Sequence, residues 1–256
     1  MGVDKNMCGA ELKTLPEGVQ RVAAVLQASG HPHAPVMLDD AARTAQQAAD
    51  ALGVAVGQIA KSIIFRRKSD DAAVLVVTSG DRRVDEKKVE ALVCADGRRL
   101  GRADAEFVKS RTGFSIGGVS PLAHDVPSVT LIDQSLFRFG EIWAAAGHPH
   151  GVFQLSPQQL QSLTGAPVAD LAVSQDDDKL ALQRAASQVR ARAQTLATQA
   201  DAPSPCISIC RMSASTGLCE GCFRTRDEIA VWSSASNASK RRLWATIEQR
   251  MEALVV

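Results

Sequence analysis

Gly57-Gln58-Ile59-Ala60-Lys61-Ser62-Ile63-Ile64-Phe65 is the stretch on which the reading of this chain turns. It reads as a buried strand, and a period of two puts Lys61 on one face with Ile59, Ile63 and Phe65. An ammonium on such a face is costly unless it snorkels to water or meets an anion or a hydrogen-bond acceptor. Two readings follow: an edge-strand lysine that discourages aggregation, or a cation kept for a site. Beyond a polar turn, Ala72-Ala73-Val74-Leu75-Val76-Val77-Thr78 reads as a second strand, and the pair as a hairpin.

On the N-terminal side, Pro16 opens a helix with Val19, Val22, Ala23 and Leu26 on one stripe, closed by Gly30. Pro35-Val36-Met37-Leu38-Asp39 is a short strand, and Thr44 caps a helix that runs through Ala48, Ala49 and Leu52 to Gly53. On the C-terminal side, helical patterns occupy 84–93 and 103–111. A glycine-containing loop follows, Ile116-Gly117-Gly118-Val119-Ser120-Pro121. Strands are expected over 128–133, 142–147 and 151–155, the last two joined by His148-Pro149-His150, and a closing helix over 157–163. Strands slightly outnumber helices and neighbours are hairpin-connected. The expected fold is therefore α+β, a mixed and partly curled sheet with flanking helices, rather than a doubly wound parallel sheet.

Four segments are expected: a leader over 1–14, a main domain over 15–172, a helical linker over 173–202 and a small, mainly helical metal-binding unit over 203–256. The linker is rich in Ala, Gln and Arg, and Ala202-Pro203-Ser204-Pro205 breaks it.

An apolar fraction of 45% supports a real core across 256 residues. A net charge of +1 excludes a strongly basic, non-specific nucleic-acid binder, and the lack of tyrosine argues against a stacking platform for single strands. No apolar run approaches membrane-spanning length and no signal peptide is visible, so a cytoplasmic protein without membrane or DNA partners is expected.

Cys8 and Cys94 are isolated, whereas Cys206, Cys210, Cys219 and Cys222 form two short-spaced pairs. Two such pairs can supply four thiolates to one metal centre, and the spacing admits either zinc or an iron–sulfur cluster. The turn between the pairs, from Met212 to Leu218, is long enough to fold them together. In the final helix, Lys240, Arg241 and Arg242 read either as a tRNA-contacting face or as a solvated one.

The glycine pair alone is weak: it fits neither the Walker A pattern nor the dinucleotide fingerprint. It does permit a loop that approaches a ligand closely with its N–H groups. Together with Arg43-Thr44-Ala45, the Lys61 strand, Ile132-Asp133 and Trp143-Ala144-Ala145-Ala146-Gly147, however, the loop resembles the YbaK/ProX-type aminoacyl-tRNA deacylases. These are related to the editing domain of bacterial prolyl-tRNA synthetases. The last fifty residues resemble a small bacterial domain described as a predicted iron–sulfur protein.

The resemblance implies hydrolysis in trans of the ester that joins a wrong amino acid to tRNA, with no cofactor needed for deacylation. It implies that Lys61 and the backbone of Gly117 and Gly118 stand at the reacting ester. Ser62, Val119, Pro121, Asp133, Gly147 and His148 are the expected substrate-binding residues, and His124 is a further histidine near the loop. No Ser-His-Asp or Cys-His set is visible, so no covalent enzyme intermediate is expected; the resemblance implies that the attacking water is assisted by a ribose hydroxyl of the tRNA. The expected partners are the acceptor end of an aminoacyl-tRNA and, secondarily, an aminoacyl-tRNA synthetase. Two alternatives stay open: a non-catalytic protein that senses tRNA, and an iron–sulfur or zinc protein whose larger domain is a docking platform.

Overall fold

The computed structural model describes residues 15–40, 42, 44–95, 97–213 and 216–255. The expected leader, with Cys8, and Arg43 of the motif fall outside these residues. The chain forms two compact units, the first ending at Ala172 and the second spanning Val173–Val256.

The first unit is built on one eight-stranded mixed sheet. Its strands are β1 (Val36–Met37), β2 (Ile59–Arg67), β3 (Ala72–Ser79), β4 (Leu100–Arg102), β5 (Val129–Asp133), β6 (Ile142–Ala145), β7 (Gly151–Leu155) and β8 (Val168–Ala169). The order is β1-β7-β6-β2-β3-β5-β8, with β4 also paired to β2. The β2–β3 and β6–β7 hairpins are antiparallel as expected, whereas β2–β6, β3–β5 and β5–β8 are parallel. Among the described residues five α-helices flank the sheet: α1 (Glu17–Ala28), α2 (Ala45–Leu52), α3 (Glu86–Val93), α4 (Ala105–Thr112) and α5 (Pro157–Thr164).

Strand β3 lies inside the sheet and is covered on both faces. Leu75 and Val77 join the larger core with Val19, Val22 and Leu26 of α1, while Val74 and Val76 face Val89 of α3 and Leu171. Each of those α1 side chains is fully or almost fully buried, which contributes about 1.5–3 kcal/mol relative to exposure. Helix starts follow the sequence. Thr44 accepts from the Gln47 N–H in a capping box, and Ser156 does the same for Gln159 ahead of Pro157.

One irregularity of the sheet matters for function. β2 pairs with β6 only at Ile59 and Ala60, and with β4 only at Phe65–Arg67. Between them Lys61, Ser62, Ile63 and Ile64 are paired to β3 alone, so one edge of the backbone there has no strand beside it.

In the second unit α6 (Gln175–Ala193) and α8 (Asn237–Leu254) share a core with Phe223, α7 (Arg226–Ala230) lying between them in sequence. The segment expected as a helical linker, 173–202, is helical and packs within this unit. Ala185, Ala186 and Val189 of α6 are buried against Trp244, Ile247 and Met251. The basic run of α8 is largely occupied with holding the fold: Arg241 donates to the carbonyls of Leu196 (2.8 Å) and Gln199 (2.7 Å), and Lys240 stands over the Trp232 ring at 5.7 Å. Arg241 and Arg242 are exposed, as the solvated-face reading expects, and the Arg241 guanidinium in addition satisfies carbonyls left over where the α6 segment ends.

Candidate active site

A cavity of about 400 Å³ opens where β2 changes partners, a size within the range of small-molecule sites. Residues 59–64 of β2 form one wall, Ala45 and Ala48 of α2 a second, Trp143–Ala145 of β6 a third, and Ile116, Gly117, Val119 and His148 close it. The lining is dominated by small and apolar side chains, so the few polar groups stand out.

Lys61 is the first. Its Nζ donates to the carbonyl of Gly80 (3.3 Å) and, more closely, to that of Arg82. An ammonium carries three N–H groups, so two are engaged by the loop after β3 and one is left. Burial pushes the Lys61 pKa below its ordinary value, and the carboxylates of Asp81 and then Asp133 act the other way. The aggregation-guard reading of Lys61 does not fit this placement, because its ammonium is held by carbonyls inside the protein.

The loop that holds Lys61 is itself clamped. Arg138 Nη2 reaches both carboxylate oxygens of Asp81, at 2.8 and 3.1 Å, and also Ser79 Oγ at 3.0 Å. Ser79 Oγ lies 2.7 Å from Asp81 Oδ1 and 2.5 Å from the Gly57 carbonyl. Burial raises the Asp81 pKa, but hydrogen bonds from Ser79 and Arg138 outweigh it and keep the carboxyl below its ordinary range. Asp81 and Arg138 carry no sequence signal, since 57 residues separate them.

Ser62 is the second polar group. Its Oγ is buried and has no hydrogen-bond partner among the described residues, yet the residue lines the cavity. Such a group costs about 1–3 kcal/mol while unsatisfied, and a bound molecule could satisfy it.

His148 is the third. Its Nδ1 accepts from the backbone N–H of His150 (3.2 Å), which leaves the neutral ring's proton on Nε2 as a donor. His150 is engaged elsewhere, its Nδ1 lying 3.1 Å from the Leu38 carbonyl.

The remaining expected residues divide. Gly117 and Val119 line the cavity, and their N–H groups have no partner among the described residues. Gly118 does not line it. Its N–H is bonded to the Ser115 carbonyl (3.0 Å), so it cannot also serve an oxyanion. A Cβ there would stand 2.6 Å from the His148 carbonyl carbon, which is why glycine is needed. Gly147, with φ +84, is similarly held against α1, where a Cβ would come within 2.6 Å of the Gly18 carbonyl oxygen. Pro121 is buried outside the cavity lining.

Asp133 is fully buried and also outside the lining, accepting from Thr78 Oγ1 (3.1 Å), the Leu171 N–H (3.1 Å) and the Ser135 hydroxyl. It ties β3, β5 and the segment after β8 together, so its place is structural, with an electrostatic reach to Lys61. His124 is held away from the cavity lining, Nε2 2.6 Å from the Ser120 carbonyl and Nδ1 2.8 Å from Ser128 Oγ. Cys94 is half-buried at the end of α3.

The model of the aminoacyl-tRNA editing domain matches residues 39–163, the segment that contains the whole cavity lining. The uncharacterized protein YwhH of Bacillus subtilis (strain 168) is 38% identical over 127 residues, which are 49% of this chain and 77% of YwhH. The chain belongs to the aminoacyl-tRNA editing domain family. Within the family, a crystal structure described as a candidate trans-editing enzyme for prolyl-tRNA synthetase is 40% identical, with a TM-score of 0.58. The match covers 63% of this chain and 100% of that one. EbsC of Enterococcus faecalis, named as a candidate Cys-tRNA(Pro)/Cys-tRNA(Cys) deacylase, is 22% identical over 52% of this chain and 79% of its own length.

The second unit falls outside the editing domain. Residues 204–251 match a family described as a protein of unknown function (DUF1289). The uncharacterized protein YdhL of Escherichia coli (strain K12) is 42% identical over 48 residues, 19% of this chain and 60% of YdhL. No helix among the described residues is long and apolar enough to cross a membrane.

Proposed function

We propose that the first unit is a trans-acting aminoacyl-tRNA deacylase, a hydrolase that frees a wrong amino acid from the acceptor end of tRNA. The observation that supports this most is that Lys61, Ser62, Gly117 and Val119 line one small cavity, the N–H groups of the last two having no partner among the described residues. Ester hydrolysis places negative charge on the carbonyl oxygen as water adds. Fixed donors in a partly dry pocket stabilise that charge without reorganising at the moment of reaction.

In this reading the N–H groups of Gly117 and Val119 hold the carbonyl oxygen. The remaining Lys61 N–H steadies the aminoacyl-ribose end, and Ser62 and His148 Nε2 contact polar groups of the substrate. Water attacks the carbonyl carbon, its proton drawn off with the help of the tRNA's own ribose hydroxyl. The ester bond then breaks, and the departing ribose oxygen takes up a proton. The products are the free amino acid and an uncharged tRNA. An aminoacyl-tRNA synthetase would be the natural neighbour of such an activity, as the source of the misacylated substrate.

The test is deacylation of a panel of misacylated tRNAs by the wild-type chain and by Lys61→Ala. Hydrolysis of at least one member, lost in Lys61→Ala while the fold is kept, supports the reading. Binding of tRNA without hydrolysis of any member would replace it with a sensing role.

A further inference from the structure

The second unit carries chemistry that the editing cavity does not use. Cys206 and Cys210 are in thiol–thiol hydrogen-bond contact, and so are Cys219 and Cys222. A short hairpin brings the pairs together: Glu220 N donates to the Arg211 carbonyl (2.8 Å), Ser213 N to the Leu218 carbonyl (2.8 Å), and Met212 bridges Cys219. The two cysteine loops touch, since a Cβ on Gly221 would stand 2.8 Å from Ile209 Cβ.

Backbone donors are aimed at the sulfurs. Cys219 Sγ accepts from the N–H groups of Gly221, Cys222 and Arg211, the last being the residue after Cys210. Cys206 Sγ accepts from Ser208 N at 3.4 Å. Three of the five described non-glycine residues with positive φ lie here, Ser208 (63°), Cys210 (48°) and Phe223 (58°), a strain that persists only where something over-determines it.

Arg224 supplies a separate argument. It is 3% exposed, it makes no salt bridge with any described carboxylate, and its Nε donates to Cys222 Sγ at 3.3 Å. A buried guanidinium without a counter-anion is expensive. Four thiolates around a divalent ion carry a net charge of about −2, which is the partner this cation lacks.

We propose that Cys206, Cys210, Cys219 and Cys222 form a tetrathiolate site for a single zinc ion. Among the described residues no three such side chains are yet closed to ligand distance, but the thiols already meet in pairs. Neighbouring sulfurs of a tetrahedral site with 2.3 Å bonds stand about 3.8 Å apart, a spacing close to thiol contact. A [4Fe–4S] cluster attaches each sulfur to a different iron and would spread the four apart, against the packing of Gly221 on Ile209; a [2Fe–2S] cluster, with two thiolates on each iron, is separated from zinc by the iron and sulfide readout of the test. The ion would fasten both loops to the core of α6 and α8 through Ile207 and Phe223, which pack in that core. Nothing in this assignment depends on the editing activity.

Metal analysis of the whole chain, purified without chelator, is the test, together with exchange of the bound ion for Co2+. One zinc per chain is expected, and a Co2+ form whose visible bands are those of tetrahedral four-thiolate coordination. Cys219→Ser and Cys222→Ser should lose the ion, whereas Cys94→Ser keeps it. Arg224→Leu should weaken Co2+ affinity on the order of tenfold. Iron with acid-labile sulfide, a metal-free chain that takes up no Co2+, or loss of the ion in Cys94→Ser alike would each overturn the proposal. The wild-type Co2+ spectrum decides the matter if the cysteine variants do not fold.

Discussion

Arg138 and Asp81 are joined by one guanidinium nitrogen that reaches both carboxylate oxygens, at 2.8 and 3.1 Å, and the loop they pin is the one whose carbonyls hold Lys61. Both side chains are about a third exposed, so the pair contributes under about 1 kcal/mol to stability. Arg138→Met is accordingly expected to leave the urea midpoint almost unchanged. Because a misplaced loop misplaces Lys61, the deacylation rate should fall about tenfold or more. Parallel unfolding and kinetic measurements separate the two effects.

Asp81→Asn tests the same relationship by charge. The Asp81 carboxylate raises the Lys61 pKa against the lowering effect of burial. Its removal lets that pKa fall further, so activity that needs the protonated amine should be lost at a lower pH than in the wild type. A pH–rate profile whose alkaline limb does not move, or moves upward, contradicts the assignment.

Ser62→Ala should behave unlike an ordinary core substitution. The buried Oγ has no partner in the free protein, so its removal is expected to leave stability unchanged or raise it by about 1 kcal/mol. Substrate binding should weaken instead, read as a higher KM. A clear loss of stability would mean that the hydroxyl is already satisfied.

Gly118→Ala should be destabilising. The added Cβ would meet the His148 backbone at 2.6–2.9 Å, where no flexible side chain can yield. A cost of about 1–3 kcal/mol is expected, with loss of deacylation because the turn carrying His148 must move. Urea denaturation and single-turnover hydrolysis check the two parts.

His124 gives the fold an acid limit. Burial lowers its pKa, Arg21 adds to the lowering, and the Ser120 carbonyl and Asp125 oppose it. The unfolded chain therefore binds this proton more readily than the folded one, and stability rises with pH through this region. The contribution is full above the unfolded value of about 6.5 and is lost as the pH drops below it. His124→Gln should flatten the dependence, seen in urea midpoints at mildly acidic and neutral pH.

The frame of the fold was legible because its signals are local. The alternation of β2, the run of β3 and the turn at His148–His150 each fit in a short window, and the capping residues mark α2 and α5. Strands β4 and β8 were missed, since three and two residues hold no period and their pairing to β2 and β5 is a tertiary event. Lys61 announced itself as a local conflict, a charge in an apolar strand. Asp133 reads in the sequence as a pocket candidate of second rank, behind Lys61, and only the fold shows Thr78 and the Leu171 N–H closing over it. The Asp81–Arg138 clamp had no signature at all, because nothing in the chain links those positions except the folded sheet. The likeness to editing enzymes held over 39–163, where the quoted segments lie.

Strand β2 trades β6 for β4 across four residues, and the cavity occupies that opening. Six of the strand's nine residues, 59–64, thus serve as girder and as workbench, so replacements along them are screened both for folding and for chemistry. Ala45 of α2, only half-buried, and the exposed tip at Ile116 face the same space with less of that double duty. Divergence among related proteins that handle differently sized amino acids should accordingly accumulate on those outer walls, while the strand stays fixed.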